Sequence, residues 1–286
     1  MDDTEAIELD PGHLRKLQLE LLEILLEFDR ICQAAGIRYV LSSGTLLGAV
    51  RHKGFIPWDD DMDVDMLRSD YEKFCQVVDQ LIDRERFFFQ NTDTDTGYRW
   101  VFGKMRRKNT EYIRIWQGHL RQKNGLCIDV FPLDPGSDSK AKQWLFFRGA
   151  SLCRKILWSP VGARQCPSFI ERGFFRILSA IPRDWVLAWY RKIVEKSGRS
   201  EPGEWLVSYN EDDVLDRKYR RAWFEKTVAM EFEGYQFPAP QGYDEVLKLL
   251  YGDYGKLPAE EERRSKATAC AIRFSDGEAL HAGKDA

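Results

Sequence analysis

The spacing of apolar positions changes several times along the first third of the chain, and each change predicts an element. Leu14, Leu17, Leu21, Leu25, Phe28 and Cys32 recur every three or four residues. That is the stripe of one helix face and predicts a helix over 11–35, with Gly36 as its stop. Ile37 to Leu41 reads as a strand, Ser42-Ser43-Gly44-Thr45 as a turn, and Leu46 to His52 as a short helix starting from it. After a second turn at Gly54 to Pro57, residues 61–66 alternate acidic and apolar side chains, as a half-buried strand does. Ser69 is an N-cap candidate for a helix running to Ile82, with Tyr71, Phe74, Val78 and Leu81 on one side.

Residues 86–131 hold four β-type runs separated by turn residues: Arg86 to Gln90, Tyr98 to Met105, Glu111 to Trp116 and Leu126 to Phe131. The pattern then becomes helical from Ser139 to Lys196, a segment with 12 Lys or Arg against Glu171, Asp184 and Glu195. Tryptophan and phenylalanine are interleaved with these cations. Two readings stay open: an interfacial surface for an anionic membrane, or a helical subdomain that packs its aromatics inward. Residues 200–260 are mixed, with a helix near Tyr243 to Leu250, and the charged tail after Glu261 is expected to be loosely ordered. The expected fold is α/β (α+β), a small mixed sheet flanked by helices with an added helical subdomain. The expected division is a core over 1–136, a basic-aromatic insertion over 137–200, a segment over 201–260 completing the core, and a tail over 261–286.

Composition narrows the class. The chain has 286 residues, 43 basic and 46 acidic, so 43 − 46 = −3, and no whole-chain charge signal points to nucleic acid. The start, MDDTEAIELD, has neither a basic nor an apolar region of the signal-peptide kind. No uncharged run approaches the ~18 residues of a membrane span. Six scattered cysteines without a C-x-x-C read as reduced thiols rather than a disulfide framework or zinc site. Together these favour the cytosol.

The candidate chemistry lies in Trp58-Asp59-Asp60-Asp61-Met62-Asp63-Val64-Asp65-Met66. On a strand, Asp59, Asp61, Asp63 and Asp65 would share one face, each i,i+2 pair separated by ~6.6 Å. Two such carboxylates can converge on one hard cation or span a pair of Mg²⁺ ions. The bland reading is a solvated acidic edge. The regular apolar alternation counts against it, because it requires the other face to be buried. An EF-hand loop is excluded by the absence of its sixth-position Gly and twelfth-position Glu. Upstream, Gly44-Thr45 at a helix start offers backbone N–H groups and a hydroxyl to a phosphate, although the same pair also serves as a plain N-cap. Downstream, Asp129 interrupts the apolar run of Ile128, Val130 and Phe131 and must face a partner, a metal or water. Asp134, before Pro135, reads as a turn residue.

With these residues in view the chain resembles the LicD family of phosphotransferases, which includes relatives of fukutin. The resemblance rests on the run from Ser43-Gly44-Thr45-Leu46-Leu47-Gly48 to Trp58-Asp59-Asp60-Asp61-Met62-Asp63. It is supported by Asp70-Tyr71-Glu72-Lys73-Phe74, by Ile128-Asp129-Val130-Phe131-Pro132-Leu133-Asp134 and by Tyr251-Gly252-Asp253-Tyr254-Gly255-Lys256-Leu257-Pro258. Ser43 stands where many members have Gly, and Asp65 where members often carry Gly. The resemblance implies a nucleotidyltransferase-like fold. It also implies transfer of a phospho-alcohol, typically phosphocholine from CDP-choline, to a sugar of a cell-surface glycan or lipid-linked glycan precursor. Asp59, Asp61 and Asp63 would be the metal-binding acids, completed by Asp129, with Mg²⁺ or Mn²⁺ as cofactor. Arg51, Lys53, Lys104 and Arg106 are candidates to hold phosphate oxygens beside Ser43, Gly44 and Thr45. The alternatives are a nucleotidyltransferase acting on a sugar phosphate and a non-catalytic cation-binding interaction protein.

Overall fold

A computed structural model describes residues 3–198, 203–210, 218–265 and 267–283. The expected boundary at 200/201 lies outside these residues.

Helix α1, Pro11–Ala35, carries out the 11–35 reading in full. Asp10 caps it by accepting from Gly12 and His13 N–H groups, Pro11 fits its first turn, and Gly36 ends it in the left-handed region at φ 62°. Its stripe of Leu14, Leu17, Leu21, Leu25, Phe28 and Cys32 is buried. Strand β1 is only Val40–Leu41, shorter than the Ile37 to Leu41 run. Helix α2, Ser43–His52, starts earlier than Leu46 and takes in Ser43, Gly44 and Thr45. Strand β2 is Asp63–Leu67, and α3 is Arg68–Leu81 with Leu67 rather than Ser69 at the cap position.

Strands β3 (Phe87–Gln90), β4 (Gly103–Arg107), β5 (Glu111–Arg114) and β6 (Cys127–Pro135) fall on the four β-type runs. The second of them is trimmed at its start, because Tyr98 is buried in the loop before β4. Sheet order is β1-β2-β6-β4-β3. β2 and β6 are parallel, with Asp63 beside Asp129, and the other neighbours along that path are antiparallel. The parallel register explains why β2 begins at Asp63: the Asp129 N–H donates to Met62 O at 2.9 Å, which is where pairing starts. Val64, Met66, Ile128 and Val130 point into the core beneath α1 and α3, so Asp63 and Asp129 face the other way.

The basic-aromatic segment forms α4 (Lys140–Gln165), α5 (Phe169–Ser179) and α6 (Arg183–Gly198). These helices have a core of their own, including Phe147, Ile156, Leu157, Val186, Leu187 and Tyr190. It is joined to the sheet through β7 (Trp205–Val207), which pairs with β6 and with β8 (Tyr219–Arg220). A hairpin of β9 (Thr227–Phe232) and β10 (Tyr235–Pro240) follows, then α7 (Tyr243–Tyr251).

Two expectations are overturned. The tail is not loose. Strand β11 (Ala269–Arg273) pairs with β5 and with β12 (Ala279–His281), and Cys270, Ala271, Ile272 and Phe274 are buried. The charged residues 260–264 obscured an apolar run that the exposed edge of β5 recruits. Asp134 is not a solvated turn residue either. It is fully buried near the end of β6 and accepts a two-pronged bond from Arg68, 2.7 and 2.9 Å. Burial works against the Arg68 charge, but Asp134 more than compensates and holds it above the usual guanidinium range. Asp134→Ala should therefore cost about 3–5 kcal/mol, the usual cost of stranding one half of a buried ion pair. Denaturant unfolding of the variant checks this, and a loss below about 1 kcal/mol would restore the turn reading.

Candidate active site

The outward face of the β2–β6 seam collects acids from a loop and two strands. Asp63 and Asp129 are adjacent in register, and the loop 59–62 brings Asp59, Asp60 and Asp61 beside them. That loop is not strand, contrary to the extended four-acid face expected from 59 to 65. Gln18 of α1 holds it by donating from Nε2 to Asp59 O at 2.9 Å and to Ile56 O at 3.3 Å. Asp65, on the same face of β2 as Asp63, is buried and accepts from Ser42 Oγ at 2.7 Å.

Helix α2 supports the seam. Thr45 Oγ1 accepts from the Asp63 N–H at 2.9 Å, which fixes where β2 begins and uses the hydroxyl expected to meet a phosphate. Gly44 lies under the Asp59 carboxylate; a Cβ there would come within 2.7 Å of Oδ2. Ser43 has φ 46°, the left-handed region that glycine enters at less cost. The turn is thus built on a residue that strains it slightly.

Two cations face the acids. Lys104 of β4, directly across from Asp129, forms an ion pair with it, and both side chains are largely buried. Arg114 of β5 is held charged, above its usual range; burial opposes this, and Asp129, Tyr112 and Asp61 outweigh it. Tyr112 Oη donates to Asp60 Oδ2 at 3.1 Å. Lys104 belonged to the expected set, whereas Arg114, Tyr112 and Asp60 did not. The alternation of Tyr112 and Arg114 on one face of the Glu111 to Trp116 run was the available signal.

The other expected phosphate-binding cations are engaged elsewhere. Arg106 is buried and donates to Gln90 Oε1 and Gly125 O, holding β4 to β3 and to the turn before β6. Arg51 donates to Tyr254 O and Lys256 O at 3.3 and 3.5 Å, and so anchors the Tyr251–Pro258 motif. Lys53 pairs with Glu231 of β9 at 3.1 Å. The structure therefore brings together Gly44, Thr45, Asp59, Asp61, Asp63, Lys104 and Asp129, and sets Arg51, Lys53 and Arg106 apart.

The electrostatics follow from crowding. Burial, then Asp61 and Asp60, push the Asp59 carboxyl up to about 8. Asp63 is driven well above the carboxylate range by burial, then by Asp61, Asp129, Asp65 and Asp59. Asp61 moves up to about 6 for the same reasons, but its side chain reaches solvent at the mouth of the cluster, so water screens its shift most. All-oxygen donors with surplus negative charge suit a hard divalent cation. Among the described residues, no three acidic, imidazole or thiol side chains already surround one point as ligands, and Asp129 is occupied by Lys104. Metal binding by Asp59, Asp61, Asp63 and Asp129 thus fits the donor chemistry, with Lys104 held on one oxygen of Asp129.

A cleft of about 710 Å³ lies at the C-terminal ends of β2 and β6, lined by Leu67, Phe102 and Leu133 and by residues of α3 and α6. Leu67 and Leu133 continue the faces of Asp63 and Asp129, four residues or ~13 Å away.

Residues 36–164 match the LicD/FKTN/FKRP nucleotidyltransferase domain. The chain is 29% identical over 270 residues to the lipopolysaccharide cholinephosphotransferase LicD of Haemophilus influenzae, covering 88% of this chain and 94% of that protein. It is 50% identical over 112 residues to the ribitol 5-phosphate transferase FKRP of Homo sapiens, covering 38% of this chain and 22% of that protein. The Mus musculus protein gives the same figures. Residues 36–164 are thus similar to a LicD-type nucleotidyltransferase domain, and the matched span includes every acid of the cluster.

The cluster sets an unusual pH dependence. Asp59 is raised in the folded state, so the native protein holds protons that the unfolded chain has released. The resulting stabilisation is fully present below the unfolded value near 3.8 and is lost as pH rises through about 8. Metal-free protein should therefore melt several degrees lower at pH 8.5 than at pH 6. Millimolar Mg²⁺ should flatten or reverse the trend, because cation binding takes over from protonation. Thermal melts across this range with and without EDTA check it; a metal-free melting point that rises with pH would contradict the crowded-carboxylate geometry.

Proposed function

We propose that this chain is a metal-dependent phosphotransferase that moves a phospho-alcohol from a CDP-alcohol to a sugar hydroxyl of a glycan or lipid-linked glycan precursor. CDP-choline is the favoured donor, because the near-full-length similarity is to a cholinephosphotransferase. The observation that carries the reading is the register pairing of Asp63 with Asp129, flanked by Lys104 and the acidic loop.

The acceptor hydroxyl attacks the phosphorus that bears the alcohol. The new bond forms from the sugar oxygen to that phosphorus, the bond to the bridging oxygen breaks, and CMP leaves with the electron pair. A carboxylate of the 59–63 segment accepts the hydroxyl proton. A divalent ion held by Asp61, Asp63 and Asp129, with Asp59 beside them, would neutralise charge on the diphosphate. Lys104, paired with Asp129, is placed to meet a phosphate oxygen, and Arg114 adds a second fixed positive charge. Gly44 leaves room for Asp59 at the start of α2, whose N-terminal dipole favours an anion there. The cleft floored by Leu67, Phe102 and Leu133 has room for the remainder of a substrate whose phosphoryl group lies at the acids.

Incubation with CDP-choline, CDP-ribitol or CDP-glycerol and Mg²⁺ or Mn²⁺, with CMP release as readout, tests this. Asp61→Asn and Asp63→Asn should each lower CMP release at least about a hundredfold, the scale of losing a main electrostatic stabiliser. Their metal-free melting points should stay level or rise, because each removes a mutual repulsion. Asp129→Ala should lose activity similarly. Retained turnover in these variants would sink the acid assignment, and pyrophosphate release from CTP with a sugar phosphate would replace the reading with nucleotidyl transfer.

A further inference from the structure

The helical module exposes apolar side chains on a scale seen nowhere else among the described residues. Of the large apolar residues left exposed, Trp144, Leu145 and Leu152 lie on α4, Phe169, Ile170, Phe174 and Ile177 on α5, and Trp185 and Trp189 on α6. Helix α5 buries only Phe175. Ile170, Phe174 and Ile177 follow at intervals of four and three, which makes one outward stripe of α5, and the exposed Ile181 lies just beyond its end. Ile177 is 73% exposed and Trp185 74%. Trp185 and Trp189 are one turn apart on α6. The module packs part of its aromatics inward, with Phe147, Phe175 and Tyr190 buried and Trp158 against Phe175, while Trp144, Trp185 and Trp189 are left outside.

Charge decides what covers this face. The 12 cations of 139–196 against three acids give the module a strong positive excess, although the whole chain is at −3. Arg148, Arg176 and Lys192 are exposed on the same three helices, and the Arg148 guanidinium lies 5.8 Å over the Trp144 ring. A second copy would bring the same positive charge against itself, whereas an anionic bilayer complements it. Tryptophan beside Arg and Lys, with an apolar stripe along a short helix, is the composition of an element lying in the headgroup region. No helix among the described residues is long and apolar enough to cross a membrane, so the contact is parallel to the surface.

We infer that the face formed by α5 with the exposed edges of α4 and α6 docks the protein on an anionic lipid surface, with the α5 stripe and Trp185 entering the headgroup layer. The inference stands on the helical module alone and does not depend on which alcohol or sugar is processed, so its failure would leave the proposed reaction intact.

Co-sedimentation of the full chain with vesicles tests it without donor or acceptor. Phosphatidylcholine vesicles containing 30% phosphatidylglycerol should retain at least tenfold more protein than pure phosphatidylcholine vesicles, and 0.5 M NaCl should release most of it. Ile177→Asp with Trp185→Ser should lower binding at least tenfold with an unchanged circular dichroism spectrum. Arg148→Glu with Arg176→Glu and Lys192→Glu should do the same for the charged component. Equal binding to neutral vesicles, or none to either, overturns the inference. So does a concentration-dependent dimer in size-exclusion chromatography that Ile177→Asp converts to monomer while vesicle binding is absent, since it assigns the face to a second copy.

Discussion

The constraint on which the rest of the structure depends is the placing of carboxylates side by side at a parallel strand seam. Like charges in a partly dry site repel strongly, and the chain surrounds them with devices that tolerate the repulsion. Asp63 and Asp129 are fixed by sheet register, so they cannot separate. The loop bearing Asp59 and Asp61 is tied to α1 through Gln18 and leans on the glycine at the start of α2. Lys104 and Arg114 supply positive charge from two further strands. Together these devices keep negative charge where a phosphoryl group and a hard cation can use it.

That arrangement is possible because the opposite face of the sheet is conventional. Val64, Met66, Ile128 and Val130 pack under α1 and α3 in a core that draws on residues from Leu17 to Phe274. The apolar side anchors the strands against the repulsion on their other side. The Arg68–Asp134 pair belongs to the same logic. It lies at the far end of β6, joins α3 to the sheet, and keeps a buried charge compensated beside the cleft.

The helical module adds a second division of labour. It contributes a wall of the cleft through α6 and pairs with the sheet through β7, yet its own core is separate from that of the sheet. Its outer surface departs from the rest of the molecule in both charge and apolar exposure. The sheet module thus holds the chemistry, while the helices shape access and present a face of a different character.

Local periodicity determined a large part of this protein. The apolar stripe and Gly36 fixed α1, the alternation at Asp63 to Met66 fixed which side chains of β2 face the core, and the lone Asp129 in an apolar run marked the seam, because each signal is carried by neighbouring residues and a repeat of 3.6 or 2. What tertiary structure alone decided involves partners far apart in sequence. Lys104 and Asp129 are 25 residues apart and Arg68 and Asp134 are 66 apart, so the partner of the first acid stayed open and the second acid looked solvated. The cations nearest the motif, Arg51 and Lys53, were drawn to α7 and β9 neighbours, while Arg114 came in from β5. The strand in the charged tail was hidden for the same reason: a five-residue apolar run acquires β structure only when an unpaired edge such as β5 is there to satisfy its backbone.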